Sequence, residues 1–414
     1  MKTEKSRGRM KIVSVLLVVV GIFVFCVGLA GAEDARNIAA ECTYRYQRDS
    51  ARNIGDLYNG NYSYYWESAR TRDPWLEVTL PEGETCSGVQ IKWQAVNRSW
   101  YIETEVNGEW IRTAEASGEY LTTWTPLRNV KKFRIASDFR SPNVMRIVEL
   151  EVYSAGERPA SVQVWEPTVE KADLLVVVAH PDDEYVFLGA VIPYYGAERG
   201  KKVLVCYITE SEYRRRTELL DGLWTAGQRT YPLIGKFYDR YTMNINDAYA
   251  KIGYVKVRNY MIEVFRHYRP EVVVTHDING EYGHGVHKVC ADIVMNALDK
   301  SGDSRVHPDS AEKYGTWEVR KCYIHLYGKD QILFDWNGMK LEAFGGKSAF
   351  EVADEAWQCH VSQYEKGRYE VFIGGPYDSQ LFGLYRSNVG EDLEHNDFFE
   401  NIPGPESYLV ETDE

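Results

Sequence analysis

The chain has 414 residues, 44% hydrophobic and 26% charged, which is enough for two or three domains with cores of their own. Its net charge of −13 argues against a surface built for nucleic acid or anionic membrane, since both select for clustered Lys and Arg. Aromatic residues reach 13%, with 30 Tyr and 11 Trp; such residues ordinarily fill cores, and on exposed loops they stack on sugars.

Residues 1–32 read as a targeting segment. Lys2, Lys5, Arg7, Arg9 and Lys11 precede an apolar run from Ile12 to Leu29, and Ala30-Gly31-Ala32 has the small-x-small form of a cleavage site. A cleaved signal predicts a secreted or cell-surface protein. The run is close to spanning length, so an uncleaved anchor is the alternative and the one route to membrane contact. Outside the cytoplasm, Cys42 and Cys86 are available for a disulfide. Cys206, Cys290, Cys322 and Cys359 lack metal-finger spacing and read as small buried hydrophobes.

Residues 33–155 show period-two alternation. Leu76, Val78 and Leu80 alternate with polar residues, as do Val89, Ile91 and Trp93, then Val148, Leu150 and Val152. Such segments, broken by Gly, Asn, Asp and Pro, predict an antiparallel β-sandwich. Strand context places Trp75 and Trp93 in packing roles. Trp100 and Tyr101 follow the loop-like Asn97-Arg98-Ser99 and are the candidates for sugar stacking. Residues 156–171, with Gly156, Glu157 and Pro159, read as a linker.

From Ala172 the pattern changes. Leu174–Val178 is a continuous apolar run, the mark of a buried parallel strand. Lys202–Ile208 and Val272–Val274 predict two more strands. Val257, Tyr260, Met261, Val264, Phe265 and Tyr268 repeat at helical spacing before Pro270, and Val289, Ile293 and Ala297 mark another helix. Strands alternating with helices predict an open α/β sheet over residues 172–400, followed by an acidic tail at 401–414. Ligands of such sheets bind beyond the carboxyl ends of the strands.

Two polar clusters lie at such ends. His180-Pro181-Asp182-Asp183-Glu184 follows the first strand; His276-Asp277 and Gly280-Glu281-Tyr282-Gly283-His284-Gly285-Val286-His287 follow the third. Adjacent carboxylates repel, so this density of acid implies a cation or a proton transfer. A catalytic zinc takes three ligands of the His/Asp/Glu type and keeps one position for water. His180, Asp183 and His287 can supply that set, leaving Asp182 and His284 for proton handling.

Ala179-His-Pro-Asp-Asp-Glu184 with Gly280-Glu-Tyr-Gly-His-x-x-His287 resembles the PIG-L/LmbE-like family of zinc de-N-acetylases, which act on N-acetylglucosaminyl conjugates. Arg215-x-x-Glu218-Leu219 and His360-x-Ser362-Gln363 support the likeness over residues 172–400. The resemblance implies a Rossmann-like sheet, with His180, Asp183 and His287 as ligands of Zn2+ (another divalent ion such as Fe2+ being the alternative). It implies Asp182 as general base, Tyr282 and a protonated His284 at the oxyanion, and Arg215 on the sugar conjugate. Many members carry Asp or Asn where this chain has Val286, so Asp277 is the candidate to orient His284, and Glu184 a further supporting carboxylate. Residues 40–155 resemble a discoidin (coagulation-factor type C) sandwich, often a carbohydrate-binding module, through Ile54-Gly-Asp-Leu-Tyr-Asn-Gly60, Trp66, Trp75–Val78 and Val148–Tyr153.

Together these imply an exported hydrolase that removes acetyl groups from N-acetylated glycans or glycoconjugates. The alternatives are a non-catalytic glycan-binding protein and a zinc amidase acting on another N-acyl group.

Overall fold

The computed structural model describes residues 34–47, 53–116, 119–239 and 241–403. The stretch expected to be a targeting segment and most of the expected acidic tail lie outside the described residues. Among the described residues, no helix is long and apolar enough to cross a membrane. Asp34–Glu414 forms one compact unit.

Its first part is built from two antiparallel sheets. One runs Thr43–Tyr46, Trp75–Thr79, Lys132–Ser137, Trp100–Val106, Glu109–Glu115; the other Trp66–Glu67, Arg146–Ser154, Cys86–Trp93, Thr122–Val130. The alternating apolar residues anticipated from sequence face each other: Leu76 and Val78 of one sheet share a core with Val89, Ile91, Leu150 and Val152 of the other. Trp100 belongs to this core as well. It is buried, with its ring centroid 5.7 Å from that of Trp93, so it is not free to stack on a sugar. Tyr101 is half-buried beneath Arg112, whose guanidinium carbon lies 3.5 Å from the ring centroid. Cys42 and Cys86 are both free thiols, not a disulfide.

Residues 156–171, expected to be a linker, are mostly exposed but anchored at three positions. Val162 and Trp165 are buried, and the Trp165 indole N–H donates to Gln163 at 2.9 Å. Apolar side chains within the stretch explain the difference: each gains more from burial than chain freedom would return.

The second part holds a six-stranded sheet in the order Val203–Tyr207, Leu174–Val178, Val272–Thr275, Lys321–His325, Leu381–Ser387, Gln331–Leu333. The first four strands are parallel, and the last two run antiparallel to their neighbours. The sheet is therefore mixed at one edge, where sequence reasoning expected parallel strands only. Successive residues of Leu174–Val178 point to opposite faces. Leu174, Val176 and Val178 enter one core, and Leu175 and Val177 the other, which is why the run is apolar throughout. Tyr254–Tyr268 and Gly285–Lys300 are the two helices expected from spacing, and both pack on the second core.

Strand order fixes where the site lies. Leu174–Val178 is flanked by Val203–Tyr207 on one side and Val272–Thr275 on the other. The chain thus winds in opposite directions from the first strand, opening a crevice beyond the carboxyl ends of Leu174–Val178 and Val272–Thr275. Both polar clusters emerge into it.

Away from the crevice, at the carboxyl end of Gly285–Lys300, Arg266 is fully buried with no carboxylate ion pair among the described residues. Its guanidinium donates to the carbonyls of Ser301 (3.0 Å), His307 (2.9 Å) and Asp303 (2.8 Å), and to the Ser310 hydroxyl (2.6 Å). It thereby ties the carboxyl end of Gly285–Lys300 to the following turn. Arg266→Met removes these four charge-assisted hydrogen bonds, each worth about 1 kcal/mol or more. Urea unfolding should show a loss of about 3 kcal/mol; a loss below about 1 kcal/mol would mean the turn does not depend on this side chain.

Candidate active site

The first loop begins where Leu174–Val178 ends. The Ala179 amide donates to His276 Nε2 at 3.0 Å, joining the two loops at their bases. The His180 amide donates to Asp183 Oδ2 at 2.8 Å, so the loop curls back on itself. Asp182, between them, has φ 114, a conformation an L-residue adopts only when its surroundings enforce it. Two neighbours do so: the Asp182 amide donates to Glu184 Oε2 at 2.8 Å, and Arg215 donates to Asp182 Oδ1 at 2.8 Å as well as to the Pro181 carbonyl. Glu184 thus holds the backbone and Arg215 the carboxylate. Glu184 is held in turn by the Tyr207 hydroxyl at 2.7 Å, with His360 Nε2 3.3 Å away.

The second loop turns through Gly280, at φ 65, where a Cβ would stand 2.5 Å from the His284 carbonyl; only glycine fits. Tyr282 is also left-handed, at φ 44, which turns its ring over the cavity. Gly285–Lys300 then presents His287 from its first turn.

The two loops converge. Asp183 Oδ2 lies 3.1 Å from His180 Nδ1, 3.3 Å from His276 Nε2 and 3.5 Å from His287 Nε2. His180, His284 and His287, and likewise Asp183, His276 and His287, present ligand atoms within 4.8 Å of one another. His180 Nε2, His287 Nε2 and His284 Nδ1 are buried without a hydrogen-bond partner. A buried polar atom without a partner is costly, and imidazole nitrogens beside a carboxylate facing one space suit a borderline-soft divalent ion. The residues present therefore fit a metal.

Electrostatics point the same way. Burial opposes charge on Asp183, yet His287 and His180 hold its carboxyl well below the usual range. Burial also disfavours a proton on His180, but the Asp183 and Asp239 carboxylates outweigh it and push the ring up to about 9. The cavity thus favours positive charge. Asp182 is raised to about 6 by burial, against the pull of Arg215. His284 differs from the sequence expectation: burial, with His180 and His287 alongside, lowers it to about 3. These surroundings favour the neutral imidazole over the imidazolium.

Glu281 orients the rings of this cluster, while Asp277, expected to orient His284, makes no hydrogen bond to it among the described residues. The buried Glu281 carboxylate meets His287 Nδ1 at 2.8 Å, His276 Nδ1 at 2.7 Å and His325 Nδ1 at 2.7 Å. The Asp277 carboxylate instead accepts from Asn279, being turned away by the tight bend at Gly280. Sequence reasoning quoted Glu281 within its motif without giving it a role; its place five residues after His276 and six before His287 was the available signal. Asp239 was missed altogether. It follows the short strand Phe237–Tyr238, and its Oδ1 stands 3.4 Å from His180 Nε2 without completing a hydrogen bond.

These groups line an open cavity of about 210 Å³, with Arg215, Tyr282, His284 and Asp239 joined by Gln363 and by Tyr369, whose ring lies 5.8 Å from that of Tyr282. Tyr282 packs against His284 and His287, with centroids 5.6 and 5.4 Å away, while Phe187 forms an apolar wall 5.5 Å from His287.

Residues 175–298 match the family model "PIG-L: GlcNAc-PI de-N-acetylase". The match contains both loops. Over 178 residues the chain is 31% identical to a 1D-myo-inositol 2-acetamido-2-deoxy-alpha-D-glucopyranoside deacetylase of Geodermatophilus obscurus, covering 36% of this chain and 60% of that protein. It is 29% identical over 267 residues to deacetylase 2 of the same description from Saccharopolyspora erythraea, covering 57% of this chain and 90% of that one. Among solved structures, N,N'-diacetylchitobiose deacetylase from Pyrococcus horikoshii aligns at 16% identity and a TM-score of 0.37, covering 46% of this chain and 71% of that one.

Glu281→Gln keeps the shape but removes the charge that three imidazoles share. Divalent-metal affinity, read by chelator competition, should fall about 10–100-fold, whereas Asp277→Asn should leave it within about twofold, since Asp277 touches no ligand. Equal losses in the two variants would contradict the role given to Glu281.

Proposed function

We propose that this chain is a zinc-dependent hydrolase that removes N-acetyl groups from N-acetylglucosamine-containing glycans or glycoconjugates. The observation that carries the reading is the set of unpartnered imidazole nitrogens around Asp183, with a second carboxylate, Asp182, beside it in an open cavity. The names of the relatives, all deacetylases of N-acetylglucosamine-type substrates, support the substrate class.

His180, Asp183 and His287 would hold the metal. When bound, it supplies Lewis acidity to the amide carbonyl and makes water a nucleophile near neutral pH. Asp182, kept in place by Arg215 and Glu184, takes the proton of the attacking water and passes it to the departing amine nitrogen as the C–N bond breaks. The Tyr282 hydroxyl and an N–H of neutral His284 donate to the oxygen that gains charge, an interaction that is stronger in the transition state than in the bound substrate. Asp239 and Arg215 reach the cavity as an acceptor and a donor for sugar hydroxyls. Phe187 excludes water from the inner side, which strengthens each of these contacts.

The basic and apolar pattern of residues 1–32 supports export as part of this proposal, and amino-terminal sequencing of the mature protein tests it. The sandwich that precedes the α/β part is proposed to be discoidin-like and to contact glycan.

The reading is tested by incubating the zinc-loaded protein with N-acetylglucosamine oligomers and measuring free acetate. Acetate and a free amine should appear in equal amounts; release from another N-acyl amide alone would favour the alternative amidase. Asp182→Ala should retain zinc and lose about a hundredfold or more in kcat, and full turnover would remove the general base. His287→Ala should lower zinc content sharply; an unchanged content would remove the ligand assignment.

A further inference from the structure

Arg215 stands on the helix Tyr213–Thr225, and the opposite face of that helix is held by the β-sandwich. The Tyr213 hydroxyl donates to the Ser63 carbonyl at 2.7 Å, and Arg216 donates to the Gln94 carbonyl at 3.2 Å. Asp221 accepts from Lys92 Nζ at 2.7 Å and from the Tyr62 hydroxyl at 2.8 Å. Trp224 donates to the Ala160 carbonyl at 2.8 Å, within the segment that joins the two parts. At about 100° per residue, positions 213, 216, 221 and 224 fall within roughly 140° of one another, and position 215 lies about 190° from their centre. One face is therefore anchored to the sandwich while the other delivers Arg215 to Asp182.

The anchor is a committed one. The Lys92 side chain is 5% exposed and that of Asp221 18%. Asp221 is the near acid for that ammonium, Glu151 standing 4.0 Å away. Burial acts against the Lys92 charge, and Asp221, with Tyr62 and Glu151, more than restores it. A lysine placed on a sandwich strand to meet a carboxylate of the neighbouring helix is an expensive way to build a tether, because either charge left alone in that seam is strongly disfavoured. Its effect is a fixed angle and depth for the helix, and hence for the guanidinium on its far side. A one-ångström error at a group that holds a general base and meets substrate is costly in rate.

We propose that the β-sandwich is a positioning element of the active site: through the Lys92–Asp221 pair, Tyr213 and Arg216 it sets where Arg215 stands against Asp182. It thus acts on catalysis directly, whatever glycan it also binds. The inference rests on the deacetylase reading for its kinetic test but not for its structural one.

Replacing Lys92 or Asp221 alone strands a buried charge and risks the fold, so the decisive variant is Tyr213→Phe with Arg216→Ala, which frees the seam end of the helix nearest Arg215. In the zinc-loaded full chain, zinc content should stay at the wild-type level. The amides of residues 213–219 should exchange with deuterium at least about tenfold faster, and kcat/KM for acetate release should fall about tenfold or more. In an Arg215→Gln background the same two changes should cost less than about twofold, because the group they position is gone. An equal fall in both backgrounds, or unchanged exchange at 213–219, overturns the proposal. Should the wild-type protein release no acetate from any glycan, the deacetylase reading fails by itself, and the exchange measurement still decides whether the sandwich holds this helix.

Discussion

The site depends on two buried carboxylates that divide a set of imidazoles between them. Asp183 faces His180, His276 and His287 from within the crevice. Glu281 takes the far nitrogens of His276 and His287 and adds His325 from the neighbouring strand. Each carboxylate would be prohibitively costly to bury alone, and each ring would be free to rotate. Together they fix ring direction. With Nδ1 of His287 committed to Glu281, Nε2 is left facing the cavity, and the unpartnered nitrogens become a ligand set. The orientation of the ligands is thus a consequence of charge balance set one layer below them.

That layer extends outward through Asp182. Its unfavourable backbone is held by Glu184 beneath and its carboxylate by Arg215 above. Glu184 reaches Tyr207 on the adjacent strand, while Arg215 sits on a helix whose other face meets the sandwich. Asp182, the proposed general base, is therefore linked at one remove to both the central sheet and the amino-terminal part of the chain.

Much of this was legible in the sequence. The apolar run Leu174–Val178 has no polar side, so only a doubly covered parallel strand suits it, and that alone placed His180–Glu184 at a strand tip. The mixed edge was not legible: Leu381–Ser387 carries Gly383 and Arg386 and reads as no strand until its neighbour is known. Asp239 was hidden because a single acid after a two-residue strand has no local signature. Trp100 looked exposed from its polar neighbours, but the loop before it folds back and its ring meets Trp93 inside the sandwich. Glu281 stood in the quoted motif without a role because nothing local shows that one carboxylate meets His276, His287 and His325, while Asp277, expected on His284, bonds Asn279 instead. Local pattern gives strands and motifs; which of several carboxylates faces a ring is decided by long-range contact.

The central claim is that loops from two separate strand ends close on one hydrated divalent ion. X-ray absorption at the zinc edge of the loaded protein tests it most directly. The account predicts one zinc per chain, with imidazole nitrogens at about 2.0–2.1 Å, carboxylate or water oxygen beside them, and no sulfur. A first shell containing sulfur, or one without imidazole, would contradict it.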